Sequence, residues 1–431
     1  MASPDLHEPA LHEHARDDLI VSGIGVTASI GQGKDAFIAA LLEGRQRFGV
    51  LARPGRQLPV RQHGQTVDDS VPAAFIGAEI GDLAMPASVP KSLLRTASFS
   101  GHVALATLHE AWHDAALDQV DPQRIGLVIG GSNFQQRELV QTHNAYRDRE
   151  TFLRPTYGMG FMDSDLCGLC TEIFGIRGFA YTIGGASASG QVAVIEAIEA
   201  VRSGRVDVCI AMGALMDISY WECQGFRSLG AMGSDRYAKD PASACRPFDR
   251  DRDGFIYGES CGVVVVERAR SAGRPGAQRY AQLAGWAMAM DGNRNPNPSQ
   301  DGEMQAIRGA LARAGLSAAD IDYVNPHGTG STIGDITELA ALRECGLTHV
   351  RLNATKSVIG HGLSAAGAVE LIAVLLQMRE GSLHPSRNLD DPIETDFGWV
   401  RGASTPHAIG NALNLSMGFG GVNTAVCVRK C

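Results

Sequence analysis

Residues 356–370, Lys-Ser-Val-Ile-Gly-His-Gly-Leu-Ser-Ala-Ala-Gly-Ala-Val-Glu, read as a glycine-flanked polar loop that opens an apolar helix. The strand before it is predicted at 351–354 and the helix at 364–377, ending at the turn Glu380-Gly381-Ser382. The same grammar occurs once earlier. A strand at Phe179–Ile183 runs through Gly184-Gly185-Ala186-Ser187-Ala188-Ser189-Gly190 into an apolar helix at 191–202, which ends at Ser203-Gly204-Arg205. Two such units facing each other would bring both loops to one shared centre.

Working outward, strands are predicted at 19–26, 125–129, 206–212, 261–267, 321–325 and 424–428. Helices are predicted at 34–43, 94–117, 303–314 and 333–344, with a helical insertion around a pocket at 133–175. Residues 45–90 lack periodicity and read as an irregular excursion. Alternating strands and helices predict an α/β protein with a largely parallel sheet covered by helices. The chain divides into a tail at 1–17, one half at 18–267 and a second half at 268–431.

Composition bounds the function. Of 431 residues, 44% are hydrophobic and 20% charged, which excludes disorder over most of the chain. The 51 glycines exceed ordinary usage without a collagen period, so they point to tight turns and close backbone approaches. The net charge of −9 argues against a nucleic-acid partner. Nine cysteines in so long a chain predict reduced thiols and a cytoplasmic setting. Apolar runs are short or broken by Glu, and the polar first residues lack the core of an export signal, so no membrane association is expected.

Four clusters could carry chemistry. Ser187 would sit where a strand turns into a helix, with its backbone N–H beside the positive helix end. His327, in Asn325-Pro326-His327-Gly328-Thr329-Gly330-Ser331, and His361 each follow a strand within glycine-flanked loops, where neutral imidazoles can donate N–H groups. Lys356 could orient the site electrostatically. Gly418-Phe419-Gly420-Gly421 would let a backbone N–H approach a ligand, with Phe419 as an apolar wall. Taken singly, each has a plainer reading as a helix cap, a satisfied histidine or a turn.

Four patterns lead elsewhere. Cys167-Gly168-Leu169-Cys170 has no second pair to complete a zinc site, and two helix-facing thiols are expected. His7, His12 and His14 read as part of a tail. Asp249 to Gly254 copies the start of a calcium loop, but its twelfth position is Ser260. Around Ser187 the closing glycine of a hydrolase elbow is missing, although the order Ser187, Asp335, His361 would suit that fold.

In order, LIVSGIGVTASIG, FDRDRDGFIYGESCGVVVVE, NPHGTGSTIGDITE, KSVIGHGLSAAGAVE and SMGFGGVN resemble the motifs of the β-ketoacyl-ACP synthases, over residues 18–430. The resemblance implies the thiolase fold, a five-layered αβαβα arrangement of two similar halves. In condensing members a cysteine that accepts the acyl chain stands where this sequence has Ser187. A serine hydroxyl without an activating base is a far weaker nucleophile. The two histidines that decarboxylate malonyl-ACP in the family match His327 and His361.

The resemblance therefore implies a malonyl-ACP decarboxylase of the serine-bearing kind associated with polyketide β-branching. It also implies phosphopantetheine contacts for Thr329 and Ser331, a gating role for Phe419 beside Gly420, and a polar network with Lys356 and Glu338. Asn325, Glu338 and Glu370 match side chains that some members use around a monovalent ion or water. No catalytic metal or organic cofactor is expected; the substrate would arrive on acyl carrier protein, and the enzyme would be a homodimer. The alternatives are an acyltransferase or thioesterase using Ser187 as nucleophile, a condensing enzyme with serine, and a silent carrier-docking subunit.

Overall fold

A computed structural model describes residues 18–58 and 74–431. The predicted tail at 1–17 lies outside the described residues, as does part of the excursion at 45–90.

Ten strands build the frame, five in each half. The first half has β1 (Leu19–Ala28), β2 (Ile125–Gly130), β3 (Phe179–Ile183), β4 (Val208–Gly213) and β5 (Ser260–Arg268). The second has β6 (Ala281–Met290), β7 (Tyr323–Asn325), β8 (Arg351–Leu352), β9 (Asn411–Gly418) and β10 (Val422–Lys430). The spatial order is β3-β2-β4-β5-β1 in the first half and β8-β7-β9-β10-β6 in the second. Adding five to each strand number of one half gives the other, so the repeat read from two loops extends to the whole topology. The halves join where β1 pairs antiparallel with β6.

The sheet is mixed, which corrects the expectation of a largely parallel one. Within each half the outer strands are parallel, as in β3-β2-β4 and β8-β7-β9. The inner strands β4-β5-β1 and β9-β10-β6 are antiparallel. The cause is visible between β9 and β10, which are joined by Phe419, Gly420 and Gly421 alone. A connection that short can only reverse the chain. Strand β9 was not anticipated, because Asn411 and Asn414 interrupt its apolar pattern.

Helices fill the remaining layers: α1 (Phe99–Asp114), α2 (Ser164–Phe174), α3 (Ser189–Arg202), α4 (Gln300–Ala314), α5 (Gly334–Glu344) and α6 (Ala366–Glu380). The helix predicted at 94–117 is shorter, because Ser98 takes an extended conformation and its side chain caps α1 by accepting from Gly101 N. α3 and α6 pack on each other between the two halves, and the thirteen residues of α6 from Ala366 to Met378 are all buried. The residues of α6 are apolar nearly all round, as burial between two sheets requires. The outer cores lie under α1 and α2 on one side and under α4 and α5 on the other. This gives the five layers αβαβα.

Cys167 and Cys170 lie buried along α2 as free thiols, as all nine cysteines are free. Asp249 does not face an ion: its carboxylate accepts from the backbone N–H groups of Asp251, Asp390 and Asp391.

Candidate active site

Both central helices begin the same way. Ala186 takes φ 48° and opens a single 3-10 turn, Ala186–Ala188, before α3. Leu363 takes φ 51° and opens the turn Leu363–Ala365 before α6. Left-handed backbone at residues other than glycine costs of order 1–3 kcal/mol and persists where the surroundings over-determine it. Ser187 and Ser364 occupy the middle of their respective turns. Their hydroxyls differ in what they meet: Ser364 donates to Ala214 O at 2.8 Å, whereas Ser187 Oγ lies 2.9 Å from His361 Nε2.

The turn after β9 closes over this point. A Cβ on Gly418 would stand 2.2 Å from Gly185 O, so only glycine allows that approach. Gly420 and Gly421 take φ 88° and 81°, as a reversal this tight requires. Ser416 Oγ donates to Ser187 O at 3.3 Å. The exposed Phe419 ring stands 6.4 Å from the Phe226 ring at the mouth of a cavity of about 280 Å³. Ser187, His327, His361, Thr329, Ser331 and Phe419 all line that cavity.

His361 is held by its backbone, which donates to Ile256 O at 2.7 Å and accepts from Gly258 N at 3.0 Å. His327 is held by Glu338, whose two oxygens accept from His327 N at 2.5 Å and Gly328 N at 2.9 Å. The two rings stand perpendicular with centroids 5.5 Å apart.

Behind His327, buried Lys356 donates to the His327 carbonyl, lies 3.4 Å from Nδ1 and pairs with Glu370 Oε1 at 2.5 Å. The resemblance had grouped Lys356 with Glu338; its ion pair is with Glu370, and Glu338 serves the backbone. An ammonium is a donor only, so His327 Nδ1 faces it as the acceptor and the ring proton sits on Nε2. His361 Nδ1 is buried with no partner among the described residues. A bare ring nitrogen there costs less than an orphaned N–H, which places the His361 proton on Nε2 as well. Burial, reinforced by the nearby Lys356 charge, pushes both imidazoles well below their ordinary range. The site thus offers two neutral N–H donors.

Asn325 gives its amide to Asn414 Oδ1 at 3.1 Å and receives Thr355 Oγ1 at 2.6 Å. Of the three side chains compared with an ion cage, only Glu370 keeps an oxygen, Oε2, without a protein partner. Burial pushes the Glu370 carboxyl up to about 7 against the pull of Lys356. Among the described residues, no group of three or more His, Cys, Asp or Glu side chains is arranged to hold a metal. Thr329 Oγ1 accepts from Ser331 N, and Ser331 Oγ from Gly334 N, each at 3.2 Å.

The Beta-ketoacyl synthase N-terminal domain model matches residues 16–272 and its C-terminal counterpart residues 280–390. This chain belongs to the β-ketoacyl synthase family. The ketosynthase is 60% identical, over 96% of each chain, to the Polyketide biosynthesis malonyl-ACP decarboxylase PksF of Bacillus subtilis. It is 30% identical to 3-oxoacyl-[acyl-carrier-protein] synthase 1 of Escherichia coli, covering 95% of this chain and 98% of that one. A β-ketoacyl synthase structure from Burkholderia phymatum superposes with a TM-score of 0.84 at 24% identity, covering 96% of this chain and all of that one, which shows the shared thiolase fold.

Two residues of this ketosynthase site went unassigned in the sequence. Phe255 stands edge-on to His361 with centroids 5.2 Å apart and walls the cavity. Its position just before Tyr257-Gly258-Glu259 read only as the approach to a strand. Asp335 accepts from Phe248 N at 2.6 Å, Gly330 N at 3.1 Å and Thr329 N at 3.2 Å, which shapes the loop carrying His327. The chain order Ser187, Asp335, His361 suits a hydrolase triad, but the Asp335 carboxylate is taken up by these amides and by Arg252 at 3.6 Å.

Proposed function

We propose that this ketosynthase decarboxylates malonyl-ACP to acetyl-ACP in polyketide biosynthesis. The observation that carries the reading is that two neutral Nε2–H donors converge on the cavity while a serine occupies the place of the condensing cysteine. A thioester oxygen between His327 and His361 would take hydrogen bonds from both rings. Loss of carbon dioxide moves negative charge onto that oxygen, and donors already oriented in a buried site stabilise it without reorganising. The name of the Bacillus subtilis relative, at 60% identity along nearly the full length, supports the same reaction.

Acyl transfer or hydrolysis through Ser187 is served less well. That chemistry needs the base to be oriented by a third group, and His361 Nδ1 meets none among the described residues.

The carrier's phosphopantetheine arm would run past Thr329 and Ser331, and the step needs no metal or organic cofactor. We further assign the acetyl-ACP product to a β-branching step of the hydroxymethylglutaryl-synthase type. A homodimer is supported by β3, whose five residues are all part-exposed at the sheet edge. The nine free thiols support a reducing, cytoplasmic setting. No helix among the described residues is long and apolar enough to cross a membrane.

The test is to incubate the protein with malonyl-ACP and follow the intact mass of the carrier. Conversion to acetyl-ACP that disappears with His327→Ala or His361→Ala supports the reading. No loss of carbon dioxide above background overturns it, and an acyl adduct on Ser187 moves the reading to a transferase.

A further inference from the structure

Decarboxylation leaves an enolate whose carbon must be protonated, and the two histidines cannot do this without surrendering the N–H groups that hold its oxygen. The proton must come from another protic group, a side chain of the cavity wall or water. Six hydroxyls line the cavity, and two of them donate their hydrogens to backbone carbonyls. Ser189 Oγ donates to Ala186 O and accepts from Gly185 N. Ser364 Oγ donates to Ala214 O. Thr329 Oγ1 and Ser331 Oγ each accept from a backbone N–H of their own loop and Ser132 Oγ accepts from Asn133 Nδ2, so these three keep their hydrogens, but none of them contacts His327 or His361 among the described residues.

Ser187 also keeps its hydrogen, and of the six it is the one in contact with a histidine that would hold the enolate oxygen. Its Oγ lies 2.9 Å from His361 Nε2, the nitrogen that carries the ring proton in the tautomer argued above. Ser187 therefore accepts from His361, and its own hydrogen is left for the cavity. The donor that holds the enolate oxygen is also the donor that holds Ser187 Oγ. A hydroxyl and an oxygen sharing one donor are close neighbours, which brings Ser187 within reach of the carbon next to that oxygen.

Resting on the decarboxylase reading above, we infer that Ser187 is the proton donor that converts the thioester enolate into the acetyl group. The bonds balance as follows. The carboxylate carbon leaves as carbon dioxide, and its bonding pair becomes the enolate. The enolate carbon takes the Ser187 hydroxyl proton, which forms the methyl group and leaves an alkoxide hydrogen-bonded to His361 Nε2–H. Water entering from the cavity mouth reprotonates the alkoxide, and the hydroxide released combines with carbon dioxide as bicarbonate. The sum is malonyl thioester plus water giving acetyl thioester plus bicarbonate.

On this account, the serine is a functional replacement for the thiol and more than a disabled nucleophile. A thiol beside an imidazole and at a helix N-terminus is readily ionised, and a thiolate has no proton to give. A serine hydroxyl in the same place keeps its proton until the far more basic enolate carbon arrives.

The experiment measures how the enolate partitions. Wild type, Ser187→Ala and Ser187→Thr are run on malonyl-ACP in buffer containing 13C-labelled bicarbonate and carbonic anhydrase. Unreacted malonyl-ACP is recovered at half conversion, and its label is read in the mass of the ejected pantetheine arm. In Ser187→Ala an enolate that waits for its proton recaptures labelled carbon dioxide. The expected result is label in the recovered malonyl group with acetyl-ACP formation slowed about 10²-fold, the usual contribution of a positioned general acid. Ser187→Thr, which keeps the hydroxyl, restores turnover without label. Ser187→Ala turning over within twofold of wild type and without label overturns the inference, as does slow turnover without label. Wild type that forms no acetyl-ACP overturns the decarboxylase reading itself, so the two failures are distinguishable.

Discussion

Lys356 Nζ stands 3.4 Å from His327 Nδ1 and does not itself line the cavity. The ammonium thereby decides which nitrogen of His327 carries the proton. Replacing Lys356 with Met removes that bias and leaves Glu370 buried without its partner. Breaking a buried pair costs about 3–5 kcal/mol. The expected outcome is a marked fall in thermal stability, together with an acetyl-ACP rate that does not recover when the protein is assayed well below its new melting temperature. Calorimetry and the carrier-mass assay check the two parts separately.

His327→Ala and His361→Ala should each lower kcat by about 10²-fold to 10³-fold, the range for loss of one oxyanion donor. Substrate affinity should change far less, because these hydrogen bonds strengthen as charge develops. Steady-state kinetics on malonyl-ACP separate kcat from KM and so check this.

The acid limb of the pH profile should be displaced. Both imidazoles are held well below their ordinary range, so they remain neutral donors as pH falls through about 6.5. Turnover should show no inflection near that value. Stability should respond in the opposite way. Below about 6.5 the unfolded chain binds protons that the folded chain refuses, so acid favours unfolding by up to about 1.4 kcal/mol per pH unit for each histidine. Denaturant titrations at pH 5.5 and 7.5 compare the two.

Gly418→Ala should be damaging although alanine adds one methyl group. That methyl would meet Gly185 O at 2.2 Å, and backbone cannot yield as a side chain does. A loss of about 1–3 kcal/mol is expected, with the turn pushed off the Ser187 loop. A lowered melting temperature accompanied by lost turnover checks it.

Ser187→Cys should restore a group that can be acylated. The new thiol would lie at the start of α3 beside His361, where ionisation is favoured. Incubation with acyl-ACP should leave a mass adduct on the protein. If no acyl group is ever accepted, the cavity itself has lost the room for one.

The residues that made the site legible in the sequence were those whose chemistry needs a special backbone. The loops around Ser187, His327 and His361 announce themselves by clustered glycine and small residues between apolar runs. Strand β5 was equally plain, because Val263 to Val266 is β-branched throughout and fully buried. What stayed hidden depends on partners distant in the chain. Lys356 meets Glu370 one helical element later, and Glu338 reaches back to the amides of His327 and Gly328. No local pattern distinguishes a carboxylate that pairs with an ammonium from one that accepts backbone N–H groups. The antiparallel inner strands were missed for a similar reason. Whether Val422–Lys430 runs with or against its neighbour is set by a three-residue turn, and an apolar run looks the same in both directions.

The matching bends at Ala186 and Leu363 have a consequence for ancestry. A molecule assembled from two identical copies of either half would set like against like: two serines at the centre, or two histidine loops. Neither arrangement opposes a proton donor to an oxyanion holder. The chemistry requires that the copies differ, with Ser187 turned to the cavity in one and Ser364 committed to a carbonyl in the other. An enzyme of this design severed between Arg268 and Ala281 would yield two inert fragments, and activity would return only when unlike fragments met.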